Sequence, residues 1–160
     1  MIDEKGLRWP NFNIEIKSRR KGDHVYHPGP KKFAALVVET LNELNEAYPE
    51  ADVLNKVSIQ SFDLRALREV RKTALQVKLC LLVENTADPA KQMDNLGFPV
   101  DIYSPNFELV TPELIAWCHF RQIEVIPWTV NELDEMQELV DMGVDGLISD
   151  YPDRFNLLVY

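Results

Sequence analysis

The residues able to do chemistry fall in three short segments. In Asn13-Ile14-Glu15-Ile16-Lys17 the two-residue period of a strand puts the Glu15 carboxylate and the Lys17 ammonium on one face, at the end that leads into a loop. A carboxylate oxygen can ligate a hard cation, and an ammonium beside it stabilises charge on the non-bridging oxygens of a phosphate ester. The same spacing also describes an ion pair on a strand edge, which is common and contributes little. In Ser58-Ile59-Gln60-Ser61-Phe62, Ser58 and Gln60 face the same side as Glu15. The third segment, Pro127-Trp128-Thr129-Val130-Asn131, is joined through a helix to the stretch Gly143 to Pro152. Taken alone, Trp128 reads as a core residue and Asn131 as a helix cap. His24 and His27 lie in a polar loop, as solvated residues or as ligand contacts, and His119 lies on a helix.

The elements that must position these groups alternate between short apolar runs and helical stretches, the signature of an α/β chain. Strands are expected at Phe12 to Lys17, Val57 to Phe62, Val77 to Val83, Val100 to Tyr103, Val125 to Val130 and Gly146 to Ser149. Phe33, Leu36, Val37, Thr40, Leu41, Leu44 and Tyr48 recur at helical spacing, and Pro49 helps to end that helix. Asp63 is placed to cap a helix from Leu64 to about Val70, because its carboxylate can accept from first-turn N–H groups. Thr111-Pro112 opens a helix to Phe120, Asn131 caps Glu132 to Met142, Gly143 suits the left-handed residue that follows, and Tyr151-Pro152 opens a last turn. No linker or low-complexity stretch divides the chain, so a single domain over residues 1–160 is expected. Parallel βαβ units build either an open sheet or a barrel, and the absence of a glycine-rich phosphate loop leans toward the barrel.

Composition narrows the function. With 46% hydrophobic residues in 160, there is apolar mass for a core. A net charge of -9 argues against a general nucleic-acid binder, although it leaves room for a small phosphate ester held at a metal-containing pocket. Cys80 and Cys118 read as small buried hydrophobes rather than a disulfide framework. No apolar run approaches membrane-spanning length, and the start, MIDEKGLRWPNF, has no apolar core after a basic opening. The chain as given is expected to be soluble, cytoplasmic or periplasmic or secreted according to what precedes it.

In order along the chain, Asn13 to Lys17, Ser61-Phe62, Trp128 to Asn131 and Gly143 to Pro152 resemble the N-I-E-I-K strand, S-F strand end, W-T-V-N turn and G-V-D-G-I-x-T/S-D-x-P segment of the glycerophosphodiester phosphodiesterase family. The resemblance implies an α/β fold, a partial TIM-type (β/α) barrel of the phosphodiesterase superfamily lacking its first strands. It further implies hydrolysis of glycerophosphodiesters to glycerol 3-phosphate and an alcohol, with a divalent metal, Mg²⁺ or Ca²⁺, and a pair of histidines as acid and base. Carried over by position, Glu15 matches a metal-binding glutamate and Lys17 the lysine beside the phosphate, counted here with the catalytic groups. Trp128 matches an aromatic lining the substrate pocket, and Gln60 and Phe62 are further pocket-lining candidates.

The family's H-R-G opening, its E-x-D pair of metal ligands and its H-D segment belong upstream of the N-I-E-I-K strand, and nothing upstream of Asn11 supplies them. The resemblance therefore implies weak metal binding, negligible activity of the isolated chain, and open sheet edges at Phe12 to Lys17 and Gly146 to Ser149. Such edges are met by a complementing N-terminal segment or by a homodimer. A non-catalytic half-barrel module, natural or engineered, that self-associates through those edges is the alternative. A phospholipase acting on intact lipids would need a membrane-docking surface, and no segment of the sequence has the pattern of one.

Overall fold

The structure, a computed structural model, describes residues 9–159. The leading stretch MIDEKGLR, on which the expectation about the N-terminus rests, lies outside the described residues. The chain divides into two compact units, one up to Leu79 and one from Cys80.

In the first unit, β1 (Phe12–Glu15) and β2 (Val57–Ser61) pair in parallel, with Phe12 opposite Val57, Asn13 opposite Ser58, Ile14 opposite Ile59 and Glu15 opposite Gln60. Ile16 N–H donates to the Gln60 carbonyl at 2.9 Å, so the pairing runs past the assigned end of β1. Alternation sorts the two faces: Ile16, Val57, Ile59 and Ser61 are buried, while Asn13, Glu15, Ser58 and Gln60 on the other face keep contact with solvent. Helix α1 (Pro30–Ala47) buries Ala34, Val38 and Leu41, spaced four and three apart, and packs on α2 (Leu64–Thr73), which buries Ala66, Leu67 and Val70. Fully burying a valine or leucine of this stripe stabilises the fold by about 1.5–3 kcal/mol, which makes Val38, Leu41, Leu67 and Val70 the core of the unit. Helix α1 starts three residues before the expected Phe33, because Pro30 suits a first helical position where no N–H is required.

The second unit holds most of β3 (Lys78–Val83), then β4 (Ile102–Pro105) and β5 (Glu124–Val125), parallel neighbours in chain order. Helix α3 (Pro89–Leu96), absent from the sequence expectations, follows β3 and is capped by the Asp88 carboxylate, which accepts from Ala90 N–H at 2.8 Å. Helix α4 (Pro112–His119) starts where expected, with the Thr111 hydroxyl accepting from Leu114 N–H. Strand β4 lies two residues later than Val100 to Tyr103, because its pairing with β3 runs from Ile102 to Pro105. Beyond β5 the chain stays extended: Ile126 N–H donates to Tyr103 O and Trp128 N–H to Pro105 O, while Pro127 has no N–H to give.

Helix α5 (Leu133–Met142) ends at Gly143, whose φ of 95° is the left-handed cap expected there. Its N-cap is Glu132 and not Asn131. Gly146 to Ser149 is not an assigned strand, yet Asp145 N–H donates to Val125 O, Ile148 N–H to Pro127 O, and Val130 N–H to Ile148 O, each at 2.9 Å. The last turn, Pro152–Leu157, is a 3-10 helix. Cys80 and Cys118 are buried and unbridged, and burial pushes both thiols up to about 12. Among the described residues no helix is long and apolar enough to cross a membrane.

Candidate active site

The register of β1 on β2 places Glu15 directly beside Gln60, on the face opposite the helix-covered one. Lys17 Nζ stands 3.6 Å from Glu15 Oε2; Glu15 is 23% exposed and Lys17 81%. Two residues earlier on the same face, Asn13 bridges Gln60 and Ser58: its Nδ2 donates to Gln60 Oε1 at 2.8 Å, and its Oδ1 accepts from Ser58 Oγ at 2.9 Å. These bonds hold the Gln60 amide against β1 and beside the carboxylate. Phe62 continues the alternation of β2 and is 42% exposed. Within the first unit, Glu15, Lys17, Ser58, Gln60 and Phe62, all singled out in the sequence, thus lie on one face of two parallel strands, most of them toward the strands' C-terminal ends. In (β/α) barrels those ends carry the reactive groups.

Trp128 belongs to the second unit. It shares a strand face with Ile126 and Glu124, while Ile123, Val125 and Pro127 occupy the buried alternate positions. Its indole Nε1–H donates to the Ser104 carbonyl at 2.8 Å, and its own carbonyl accepts from Phe107 N–H at 2.9 Å. The helix-covered face of β4 is identified by Tyr103, whose hydroxyl donates to Gln92 of α3. Ser104, one position along, lies on the other face, and the parallel bridge between Asn106 and Trp128 places the tryptophan there too.

The loop from Ser18 to Gly29 is fastened by a clamp that sequence reading did not find. Arg65 donates from Nη1 and Nη2 to Asp23, at 2.6 and 3.2 Å, and from Nε and Nη2 to Asp63, at 3.0 and 2.7 Å. Ser18 Oγ donates to Asp63 at 2.9 Å, and the same carboxylate caps α2 by accepting from Arg65 N–H. Hydrogen bonding to Arg65 holds the Asp23 carboxyl below the usual carboxylate range. Burial pushes Asp63 up, but its bonds to Arg65 and Ser18 outweigh burial and leave it lowered as well. The only local signal was Asp63 as a cap; Asp23 lies 42 residues from Arg65.

His27 is not a solvated loop residue. Its Nε2 accepts from Arg19 N–H at 3.1 Å, its Nδ1 lies 2.8 Å from Pro28 O, and a Cβ added to Gly22 would stand 2.5 Å from its ring. His24 remains exposed, in a left-handed conformation with φ of 62°. Asn131 is a strut and not a helix cap: its Oδ1 accepts from Asp150 N–H and Ser149 Oγ, and its Nδ2 donates to Asp150 Oδ2. His119 pairs with Asp145 at 2.9 Å, and that carboxylate also accepts from Val125 N–H.

Among the described residues no three or more His, Cys, Asp or Glu gather as a group able to hold a metal ion. Glu15 offers one carboxylate, whereas Ca²⁺ takes about six to eight oxygen ligands. The described residues therefore do not by themselves constitute a divalent-metal centre.

Residues 6–154 match the model of the glycerophosphoryl diester phosphodiesterase family. A glycerophosphodiester phosphodiesterase from Caldanaerobacter subterraneus subsp. tengcongensis is 31% identical over 150 residues, covering 92% of this chain and 54% of its own length. One from Bacillus altitudinis is 29% identical over 148 residues, covering 89% and 53%. The chain thus spans about half the length of these curated relatives. In fold it is similar to a phosphodiesterase from Oleispira antarctica solved in complex with the product sn-glycerol 3-phosphate, with a TM-score of 0.74 at 17% identity, over 98% of this chain and 56% of that one. The fold is accordingly α/β, that of a partial (β/α) barrel.

Proposed function

This chain belongs to the glycerophosphoryl diester phosphodiesterase family, and on that premise we propose that it carries one part of a phosphodiesterase site, built in the first unit on Glu15, Lys17, Gln60 and Phe62, with Trp128 of the second unit a further substrate-contact candidate on the family resemblance alone. The whole site hydrolyses glycerophosphodiesters to glycerol 3-phosphate and an alcohol. The observation that carries this reading is the meeting of Glu15, Lys17 and Gln60 on one polar strand face, with the lysine 3.6 Å from the carboxylate. Glu15 is the ligand these strands offer to Mg²⁺ or Ca²⁺, which would supply charge stabilisation to the phosphate. The Lys17 ammonium, on a long exposed stem, can swing from Glu15 to a phosphate oxygen, while the Gln60 amide and the Phe62 ring orient the ester. One family match runs through both units, which supports reading residues 1–160 as one partial domain.

As an isolated chain it has negligible turnover, because proton transfer by the family's histidines is worth about 10²–10⁴ in rate and their motifs are absent from this sequence. The test is glycerol 3-phosphate release from glycerophosphocholine with Mg²⁺ or Ca²⁺. The chain alone should be inactive, and mixing it with the part of the Caldanaerobacter relative that it does not span should restore release that Glu15→Gln abolishes. Robust turnover by the chain alone, or restored turnover indifferent to Glu15→Gln, overturns the assignment.

A second reading, a half-barrel that self-associates, is favoured by the segment Gly146 to Ser149. The backbone bonds described for it all run to the stretch Val125 to Val130, and none to a neighbour on its other side. A copy of the chain, or a complementing segment, would satisfy such an edge.

A further inference from the structure

The charge of this chain is unevenly spread. Against a net charge of -9, six of its 17 lysines and arginines stand in residues 17–32, beside the single acid Asp23. That acid is taken up by Arg65. Arg19, Arg20, Lys21, Lys31 and Lys32 are all exposed, and they flank a tip where Val25 is 72% and Tyr26 83% exposed. The tip is a built turn. Gly22 O accepts from the N–H groups of Val25, Tyr26 and His27, at 3.1, 3.0 and 3.4 Å, so its backbone donors are met internally. The Asp23–Arg65–Asp63 clamp and the His27 bonds fix the turn to the body of the first unit.

A fixed apolar tip with satisfied N–H groups, ringed by cations, has the chemistry of an element that enters a bilayer interface. A tyrosine ring suits headgroup depth, apolar area is removed from water, and basic side chains meet acidic headgroups. We propose that the segment from Lys17 to Lys32, the loop together with the first residues of α1, docks this protein on an anionic lipid surface, with Val25 and Tyr26 in the headgroup region and Arg19, Arg20, Lys21, Lys31 and Lys32 against acidic lipids. This surface was not evident from the sequence, because the stretch contains only two adjacent apolar side chains and its exposure depends on the clamp. The loop leaves the strand that bears Glu15 and Lys17, so docking would bring that face toward lipid headgroups. The proposal stands independently of the phosphodiesterase reading. A nucleic-acid strand is the weaker fit, because a charged phosphate backbone offers no apolar layer for the exposed Val25 and Tyr26 tip to enter.

The test is co-sedimentation of the full 160-residue chain with vesicles of phosphatidylcholine alone or mixed with phosphatidylserine. Binding should require phosphatidylserine and weaken with salt. At about fivefold per basic residue, the double variant Arg20→Ala/Lys21→Ala should bind roughly 25-fold more weakly. Tyr26→Ser should weaken binding several-fold without altering its salt dependence. Because these side chains are exposed, both variants should keep the thermal melt of the parent. Lys31→Glu/Lys32→Glu gives a second reading of the charge requirement. Equal binding to both vesicle types, no vesicle binding, or binding unchanged in the two charge variants overturns the proposal. So does equally tight binding to a single-stranded oligonucleotide with no effect of Tyr26→Ser, which would mark a general polyanion patch.

Discussion

Replacing Asp63 tests the clamp and the helix cap together, because one carboxylate serves both. Asp63→Ala removes the acceptor of Arg65 N–H, a cap worth about 1 kcal/mol. It also removes the charge-assisted bonds to Arg65 and the bond from Ser18. Bonds to charged groups contribute about 1.5–3 kcal/mol when sheltered, and the Arg65 side chain is 21% exposed, so screening brings this part to roughly 1–2 kcal/mol. The expected loss is about 2–3 kcal/mol for Asp63→Ala. Asp63→Asn keeps a capping oxygen and should lose only about 1–2 kcal/mol. Urea unfolding followed by circular dichroism measures both. The Asp63 carboxyl is lowered in the folded chain, so its ionic contribution is full above the unfolded value near 4 and fades as pH falls through the folded value. The gap between the parent and Asp63→Asn should therefore close below about pH 4. Trypsin should also cut the Arg19 to Lys21 stretch faster in Asp63→Ala. Two variants within about 0.5 kcal/mol of the parent, or a gap that persists at low pH, would refute the reasoning.

Gly22→Ala should destabilise the chain by about 1–3 kcal/mol and speed the same tryptic cut, because the new methyl would stand 2.5 Å from His27 Nε2, whose ring is held by bonds on both nitrogens. Ile59→Ala, at a fully buried position of β2, should cost about 2–5 kcal/mol in the same urea assay. Cys80 and Cys118, their thiols raised to about 12 by burial, should react with an aromatic disulfide reagent only after unfolding; prompt labelling of the native chain would contradict their placement. Light scattering at micromolar concentration should give about twice 18.5 kDa if the edge at Gly146 to Ser149 is met by a second copy, and a monodisperse monomer with a cooperative melt would rule that out.

What could be read in the sequence was local. Asp63 ahead of Leu64, Thr111-Pro112 ahead of α4 and Gly143 after α5 each act within one helical turn, and each stands where expected. Glu15, Lys17 and Gln60 were placed together by strand period alone, which the parallel register of β1 and β2 respects. Helix α3 escaped notice because PAKQMDNL is short and buries only Leu96, leaving no apolar stripe to detect. Asn131 was misread because a side chain just before a helix can bond forward into the helix or sideways to another segment, and spacing does not distinguish the two. The clamp was invisible for the same reason at longer range: the partners Asp23 and Arg65 meet only after β1 and β2 have paired.

That clamp also bears on how the loop can be exchanged or inherited. A transplanted β1–α1 loop without an acid at position 23 would leave one end of the Arg65 guanidinium unmet, and an acidic loop above a non-basic residue 65 would set Asp23 and Asp63 against each other. The loop and the second residue of α2 therefore form a single heritable unit. Among relatives, the residues matching positions 23 and 65 should change together, and a chimera that carries both should fold where one that carries only the loop does not.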